Sequence, residues 1–259
     1  MLLENKVAVV SGIGPGLGRD IALAFAREGA QLALGARSSD YLESVAKEVR
    51  ALGVRAIALP TDITNLADCA RLVGQAEEEL GGVDVLVNNA YHPGTYQLFE
   101  SADLELWRAP IEVNLLGSLR LTQEAVPRLK KRGGGSIVFV NSMIVREVLP
   151  TMASYAASKG ALLAAAQGLA RELGPHKIRV NSVLPGYIWG ATLEGYFKAQ
   201  AAARGVTPEA VYREVASKIA LGKIPSSEEI VGAVVFFASD LSRAVTGQTL
   251  DVNGGQVMA

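Results

Sequence analysis

Along this chain, short unbroken apolar runs alternate with longer stretches in which apolar residues recur every three or four positions. The runs fall at 6–11, 31–36, 54–59, 84–88, 136–141, 178–183 and 248–252. Their valine-rich, near-continuous character is that of strands covered on both faces. Between them, Leu42, Val45, Ala46, Val49 and Leu52 share one helix face, and Leu66, Cys69, Ala70, Val73, Ala76 and Leu80 share another. Strand and helix alternating throughout predicts right-handed crossovers, hence a parallel sheet of about seven strands with helices on both faces. The expected architecture is α/β, a single doubly wound domain over 1–259. Gly133-Gly134-Gly135 reads as a turn into the fifth strand, and there is no internal repeat or low-complexity tail.

Two places in this pattern carry chemistry. The first strand runs directly into Ser11-Gly12-Ile13-Gly14-Pro15-Gly16-Leu17-Gly18 and then into a helix. Strand, glycine turn and helix start form a phosphate cradle, because backbone without side chains lets a pyrophosphate approach the first N–H groups of the helix. The spacing of Gly12, Gly16 and Gly18 is G-x-x-x-G-x-G, not the commoner G-x-G-x-x-G. The second place is Tyr155-Ala156-Ala157-Ser158-Lys159, with Ser142 upstream. Residues i and i+4 share a helix face, which sets a phenol beside an ammonium. Free tyrosine titrates near pH ~10, and a fixed positive charge nearby favours the phenolate and makes it a usable acid or base.

With both places in view, the chain resembles the short-chain dehydrogenase/reductase family nearly end to end. Ser11-Gly12-x-x-x-Gly16-x-Gly18 matches the family's cofactor turn, Asp62-Ile63 its adenine-side dipeptide, and Asn88-Asn89-Ala90 its fourth-strand motif. Asn114 matches the structural and catalytic asparagine, Ser142 with Tyr155-x-x-x-Lys159 the active site, and Pro185-Gly186 the loop beneath the nicotinamide. The resemblance implies a Rossmann-type fold and a hydride-transferring oxidoreductase. Its catalytic group would be Asn114, Ser142, Tyr155 and Lys159. Its cofactor contacts would come from Gly12, Gly16, Leu17, Gly18, Arg37, Ser38, Asp62, Ile63, Asn89, Tyr155, Lys159, Pro185, Gly186 and Ile188. In those roles Tyr155 exchanges a proton with the substrate oxygen, and Ser142 holds and polarises that oxygen. Lys159 lowers the Tyr155 pKa and bonds the nicotinamide ribose, and Asn114 anchors a water on a proton relay.

Cofactor choice turns on Ala36-Arg37-Ser38. An acidic residue at the end of the second strand would bond the ribose 2′-hydroxyl and repel a 2′-phosphate. Ala36 stands where NAD-preferring family members usually carry aspartate. Arg37 can hold a phosphate through charge-assisted hydrogen bonds worth roughly 1.5–3 kcal/mol each. The expectation is NADP(H), with NAD(H) as the alternative. Two departures from the family pattern stand out. Tyr91 replaces the glycine that usually ends the fourth-strand motif, where its ring would crowd the cofactor, line the substrate pocket or swing outward; His92 after it is expected to pack in the loop. Trp189 and Gly190 occupy the neighbourhood of the family's carboxamide-binding threonine, with Thr192 as a substitute and the Ile188 backbone as another holder.

The segment 189–224 reads as an insertion that covers the substrate crevice. Trp189, Leu193, Tyr196, Phe197 and Tyr212 make it partly apolar and aromatic, which points to a fairly apolar secondary alcohol or ketone. The stretch from Ala153 is small and apolar nearly all round, and with Thr246–Gly255 it resembles the family's subunit contacts, implying a homotetramer first and a dimer second. A net charge of −1 without a basic cluster gives no support for nucleic-acid binding. No run of eighteen apolar residues suggests a membrane span. A start that enters the first strand at once and a single cysteine, Cys69, fit a cytoplasmic protein, and Cys69 itself reads as core. Two histidines and one cysteine make no metal site. The rival readings are a cofactor-binding sensor or scaffold, an NAD-preferring dehydrogenase, and a cofactor-retaining epimerase or dehydratase.

Overall fold

Seven parallel strands form one sheet in the order β3-β2-β1-β4-β5-β6-β7 in the computed structural model, which describes residues 1–258. The strands are β1 (Val7–Ser11), β2 (Gln31–Ala36), β3 (Ala56–Pro60), β4 (Val85–Asn88), β5 (Gly135–Val140), β6 (Ile178–Pro185) and β7 (Thr249–Val252). Each lies within two residues of the run that predicted it, and the sheet belongs to a single domain. The strand order reverses between β1 and β4, the place where open parallel sheets form a ligand crevice at the carboxyl ends of their strands.

The helices are α1 (Leu17–Arg27), α2 (Ser39–Ala51), α3 (Leu66–Leu80), α4 (Arg108–Pro110), α5 (Ser118–Lys131), α6 (Ala153–Leu173), α7 (Ala191–Arg204), α8 (Pro208–Ala216) and α9 (Ser227–Ala238). One sheet face, with Val10, Leu34 and Val138, packs under α1, α2 and α9. The other, with Val9, Leu86 and Phe139, packs under α3, α5 and α6. Successive strand residues point to opposite faces, so an unbroken apolar run feeds both layers. Burying side chains such as Phe25 and Phe139 contributes about 1.5–3 kcal/mol each. Helix ends are set locally. Asn65 accepts from Ala67 N at 2.9 Å to start α3, and Ser226 with Glu229 forms a capping box at α9.

Two features depart from this regular plan. Between α4 and α5 the chain widens into a π-helical turn, Ile111–Gly117. The elements α7 and α8 leave the sheet and bury Phe197, Ala201, Val211, Ile219 and Ile224 in a third, smaller apolar cluster of their own. Among the described residues, no helix is long and apolar enough to cross a membrane.

Candidate active site

The motif residues at the strand ends, Ser11 with the glycine turn, Asn88 with Asn89, Ser142, and Pro185 with Gly186, lie at the carboxyl edge of the sheet. After β1 the backbone bends sharply, and Gly12 N and Ile13 N both donate to Gly35 O, at 2.8 and 3.2 Å. A Cβ on Gly12 (φ +80°) would stand 2.3 Å from Ala90 N, so the turn fits against the end of β4 only without a side chain. Asn89 Nδ2 locks the two together by donating to Gly12 O at 2.8 Å. The start of α1, at Gly16 and Leu17, carries no side-chain cap.

The floor of the site is built from β5, α6 and the π-helical turn. Asn114 is fully buried and joins three segments. Its Oδ1 accepts from His92 N at 2.6 Å, while Nδ2 donates to His92 O and to Ser158 Oγ, both at 2.9 Å. Ser158 Oγ donates in turn to Tyr155 O at 2.8 Å. A π turn is a common device for re-aiming one side chain out of a helix at a functional site, and here it delivers the Asn114 amide to both partners. Lys159, one turn after Tyr155, is 1% exposed, and its Nζ donates to Val140 O at 2.8 Å. That Nζ stands 5.9 Å from the centre of the Tyr155 ring. Ser142, at the end of β5, accepts from Ile144 N at 3.2 Å.

Burial dominates the electrostatics of this floor. It pushes the Lys159 ammonium down to about 7, because a cation is costly to hold away from water. It also pushes the Tyr155 phenol above its ordinary range, with the hydrogen bond from Ser142 pulling the other way and the phenols of Tyr91 and Tyr96 adding to the rise. The expected lowering of Tyr155 by Lys159 is absent from this arrangement. The ammonium faces the Val140 carbonyl, and burial dominates the shift of the phenol.

The remaining residues ring the same edge. Arg37 and Ser38 follow β2 and are exposed, and Arg37 makes no ion pair or side-chain hydrogen bond among the described residues. Asp62 follows β3 and holds Thr64 N at 2.9 Å, and Ile63 beside it is buried. Pro185 ends β6, and Gly186 and Ile188 follow it, with Ile188 packed on the larger core. Thr192 lies exposed on the first turn of α7. Tyr91 is 57% exposed and points away from the core, and His92 is held in its loop through both backbone groups and through Nδ1, which accepts from Gly94 N at 3.1 Å.

Sequence reasoning passed over Ser158 and Ser154. The signal was available in part: both are small polar residues in the run around Tyr155, and both turn out buried. Cys69 is buried core, its thiol pushed up to about 11 by burial. A cavity of about 590 Å³ lies at the opposite, amino-terminal edge of the sheet, lined by Lys6, Asp84, Arg132 and Arg179, remote from these residues. Among the described residues no cluster of His, Cys, Asp or Glu is placed to hold a metal ion.

The residues present fit a dinucleotide. The glycine turn has no room for side chains on its β4 side, the α1 start is uncapped, and Lys159 uses one of its three donors on Val140, leaving two. Comparison with known proteins agrees. A family model described as enoyl-(acyl carrier protein) reductase matches residues 12–256. An uncharacterized oxidoreductase of Methylorubrum extorquens is 38% identical over 256 residues, covering 98% of each chain. The 3-oxoacyl-[acyl-carrier-protein] reductase FabG of Thermotoga maritima is 34% identical over 258 residues, covering 100% of both. The solved structure of a 7α-hydroxysteroid dehydrogenase complexed with NADH and 7-oxo glycochenodeoxycholic acid superposes with a TM-score of 0.88 at 32% identity, over 99% of this chain and 96% of that one.

Proposed function

Since the chain belongs to the short-chain dehydrogenase/reductase family of oxidoreductases, we propose that it interconverts a secondary alcohol and its ketone with NADP(H), using Tyr155 as the acid and base. The observation that carries this reading is the pairing of half-buried Tyr155 with buried Lys159 on one face of α6, near the Ser142 hydroxyl. A nicotinamide dinucleotide bound across the glycine turn would supply or take up the hydride. In reduction, Tyr155 gives its phenolic proton to the substrate oxygen while Ser142 donates a hydrogen bond where negative charge develops. A phenol held above its ordinary range by burial is protonated at neutral pH, so reduction needs no prior ionisation. Oxidation requires the phenolate and gains from rising pH. Lys159, near 7, is divided between its charged and neutral forms at neutral pH and can return a proton to Tyr155 through a bridging hydroxyl or water. Asn114 fixes the first turn of α6 through Ser158, so its part is to position the pair.

The site residues share this reading. Gly12, Gly16, Leu17, Gly18 and Asn89 receive the pyrophosphate side, and Asp62 and Ile63 the adenine. Pro185, Gly186 and Ile188 flank the nicotinamide, and Thr192 serves it only if the start of α7 shifts. Arg37 and Ser38 receive a 2′-phosphate, supported by the exposed, unpaired Arg37 and the missing carboxylate at Ala36. The segment 189–224 covers the crevice. The outer face of α6, where Ala157, Ala161 and Ala164 stay exposed, supports assembly as a homotetramer, and the single buried thiol fits a cytoplasmic setting.

Parallel assays with NADPH and NADH over a panel of ketones test this. NADPH-linked turnover is expected. Replacing Arg37 with alanine should raise the KM for NADPH about tenfold or more, the loss of one charge-assisted contact, while leaving NADH unchanged. An NADH preference in the native enzyme would overturn the Arg37 argument. Silence with both cofactors would favour the sensor.

A further inference from the structure

Five of the seven tyrosines in this chain gather at one place. Tyr91 and Tyr96 belong to the loop after β4, which is fastened to the start of α6. Asn114 clamps His92, and Thr95 N donates to Ser154 Oγ at 3.0 Å. A Cβ on Gly94 would lie 2.9 Å from Tyr155 Cβ. The loop therefore rests on the catalytic tyrosine itself, and the phenols of Tyr91 and Tyr96 both act on that of Tyr155. The facing wall comes from the segment after β6. Tyr187 and Tyr196 both pack on Phe197, at 6.4 and 6.1 Å between ring centres, and Tyr196 Oη accepts from Gln200 Nε2 at 2.6 Å. Tyr96 and Tyr196 act on one another, and Tyr187 feels both. Tyr91 and Tyr96 on the β4 loop thus adjoin Tyr155, and Tyr187 and Tyr196 on the segment after β6 stand within electrostatic reach of Tyr96.

Three of the four are well exposed, Tyr91 at 57%, Tyr96 at 59% and Tyr196 at 44%. Rings this exposed contribute little to the core, and two of them, Tyr91 and Tyr96, belong to the loop that rests on Tyr155. The charge around them is equally specific. Residues 91–107 and 186–197, which supply all four, contain no lysine or arginine, but include Glu100, Asp103, Glu105 and Glu194. Glu147 acts on Tyr187 as well. The cations on neighbouring elements are tied to carboxylates: Arg108 to Glu105, Lys198 to Glu194 at 3.3 Å, and Arg146 to Asp251 at 3.4 Å.

Resting on the reading of Tyr155 as the acid and base, we infer that this phenolic mouth selects neutral alicyclic alcohols and ketones that carry a further hydroxyl or oxo group, and rejects acyl thioesters of coenzyme A or of acyl carrier protein. Phenol rings offer flat apolar faces to a carbocycle and a hydroxyl to its oxygen substituents, at small entropic cost. Phosphates, by contrast, are recognised through arginine and lysine, and meeting carboxylates instead costs affinity. The selectivity thus runs against the carrier-protein substrates printed in the names of the matched family model and of the Thermotoga maritima relative.

The test compares kcat/KM for decalin-1,5-dione and for acetoacetyl-CoA with NADPH. The dione is expected to win by about 100-fold or more, the scale of discrimination that unpaired charges impose. Replacing Tyr96 or Tyr196 with alanine should raise its KM about tenfold with kcat within about twofold, as expected of uniform binding contacts. Comparable or better turnover of acetoacetyl-CoA would overturn the inference while upholding Tyr155 as catalyst, and so would a dione KM indifferent to both alanines. Turnover of neither compound would overturn the Tyr155 reading, and this inference with it.

Discussion

The floor of this site and the segment proposed as its cover are built from different materials. In the floor, Asn114, Ser158 and Lys159 are at most 1% exposed, and each spends its polar groups on backbone or on one another. In the cover, α7 and α8 hold together through a small cluster around Phe197, with Tyr196 and Trp189 partly in solvent. The floor shares its core with the sheet, so its geometry is fixed by the whole fold. The cover contributes little to that core and is free to be reshaped around a ligand. On the proposed reading, precision belongs where a proton moves between fixed atoms, and tolerance where the substrate enters.

The sharpest way to probe the floor is through pH. Lys159 is held at about 7 against its ordinary 10.5, so between those values the unfolded chain binds the extra proton and stability rises with pH. Below about 7 the penalty of burying the charged form is fully present. At about 1.36 kcal/mol per unit the relief from pH 7 to pH 9 is about 2 kcal/mol. Urea unfolding at both pH values should show that gain, and Lys159→Met should remove it. Next in size, Asn114→Ala strands the backbone N–H and carbonyl of His92, and should cost about 1–3 kcal/mol in the same assay. The smallest global effect is expected in the cover. Phe197→Ala empties the α7–α8 cluster and should speed hydrogen exchange over 191–216 and raise substrate KM, while moving the global unfolding free energy by less than about 1 kcal/mol. A loss as large as that of Asn114→Ala would mean that the cover folds as one unit with the sheet.

The same contrast explains what the sequence disclosed. The valine-rich runs gave every strand because burial on both faces leaves an unbroken apolar signature, and the strands carry the motif residues to one edge. The π turn at Ile111–Gly117 was not legible, since one extra residue in a helical turn leaves no mark in apolar spacing. Asn114 was identifiable only through family resemblance, and its partner Ser158 was hidden in plain view between Tyr155 and Lys159. The segment 189–224 was readable as a partly aromatic insertion, but the packing of its helices α7 and α8 on one another was not. Their apolar faces pack on one another, and nothing local encodes the direction of a docked pair. Tyr91 and Tyr96 are near each other in sequence, yet the approach of Tyr187 and Tyr196 to Tyr96 depends on the crossovers that bring the two segments to one edge.

The claim that the floor performs the chemistry is tested most directly by Tyr155→Phe, with NADPH binding followed by fluorescence and ketone reduction followed by absorbance. The account predicts cofactor affinity within about twofold of the native protein and a kcat lower by about 10²–10⁴-fold, the usual contribution of a positioned general acid. A kcat within tenfold of native, with binding intact, would contradict it.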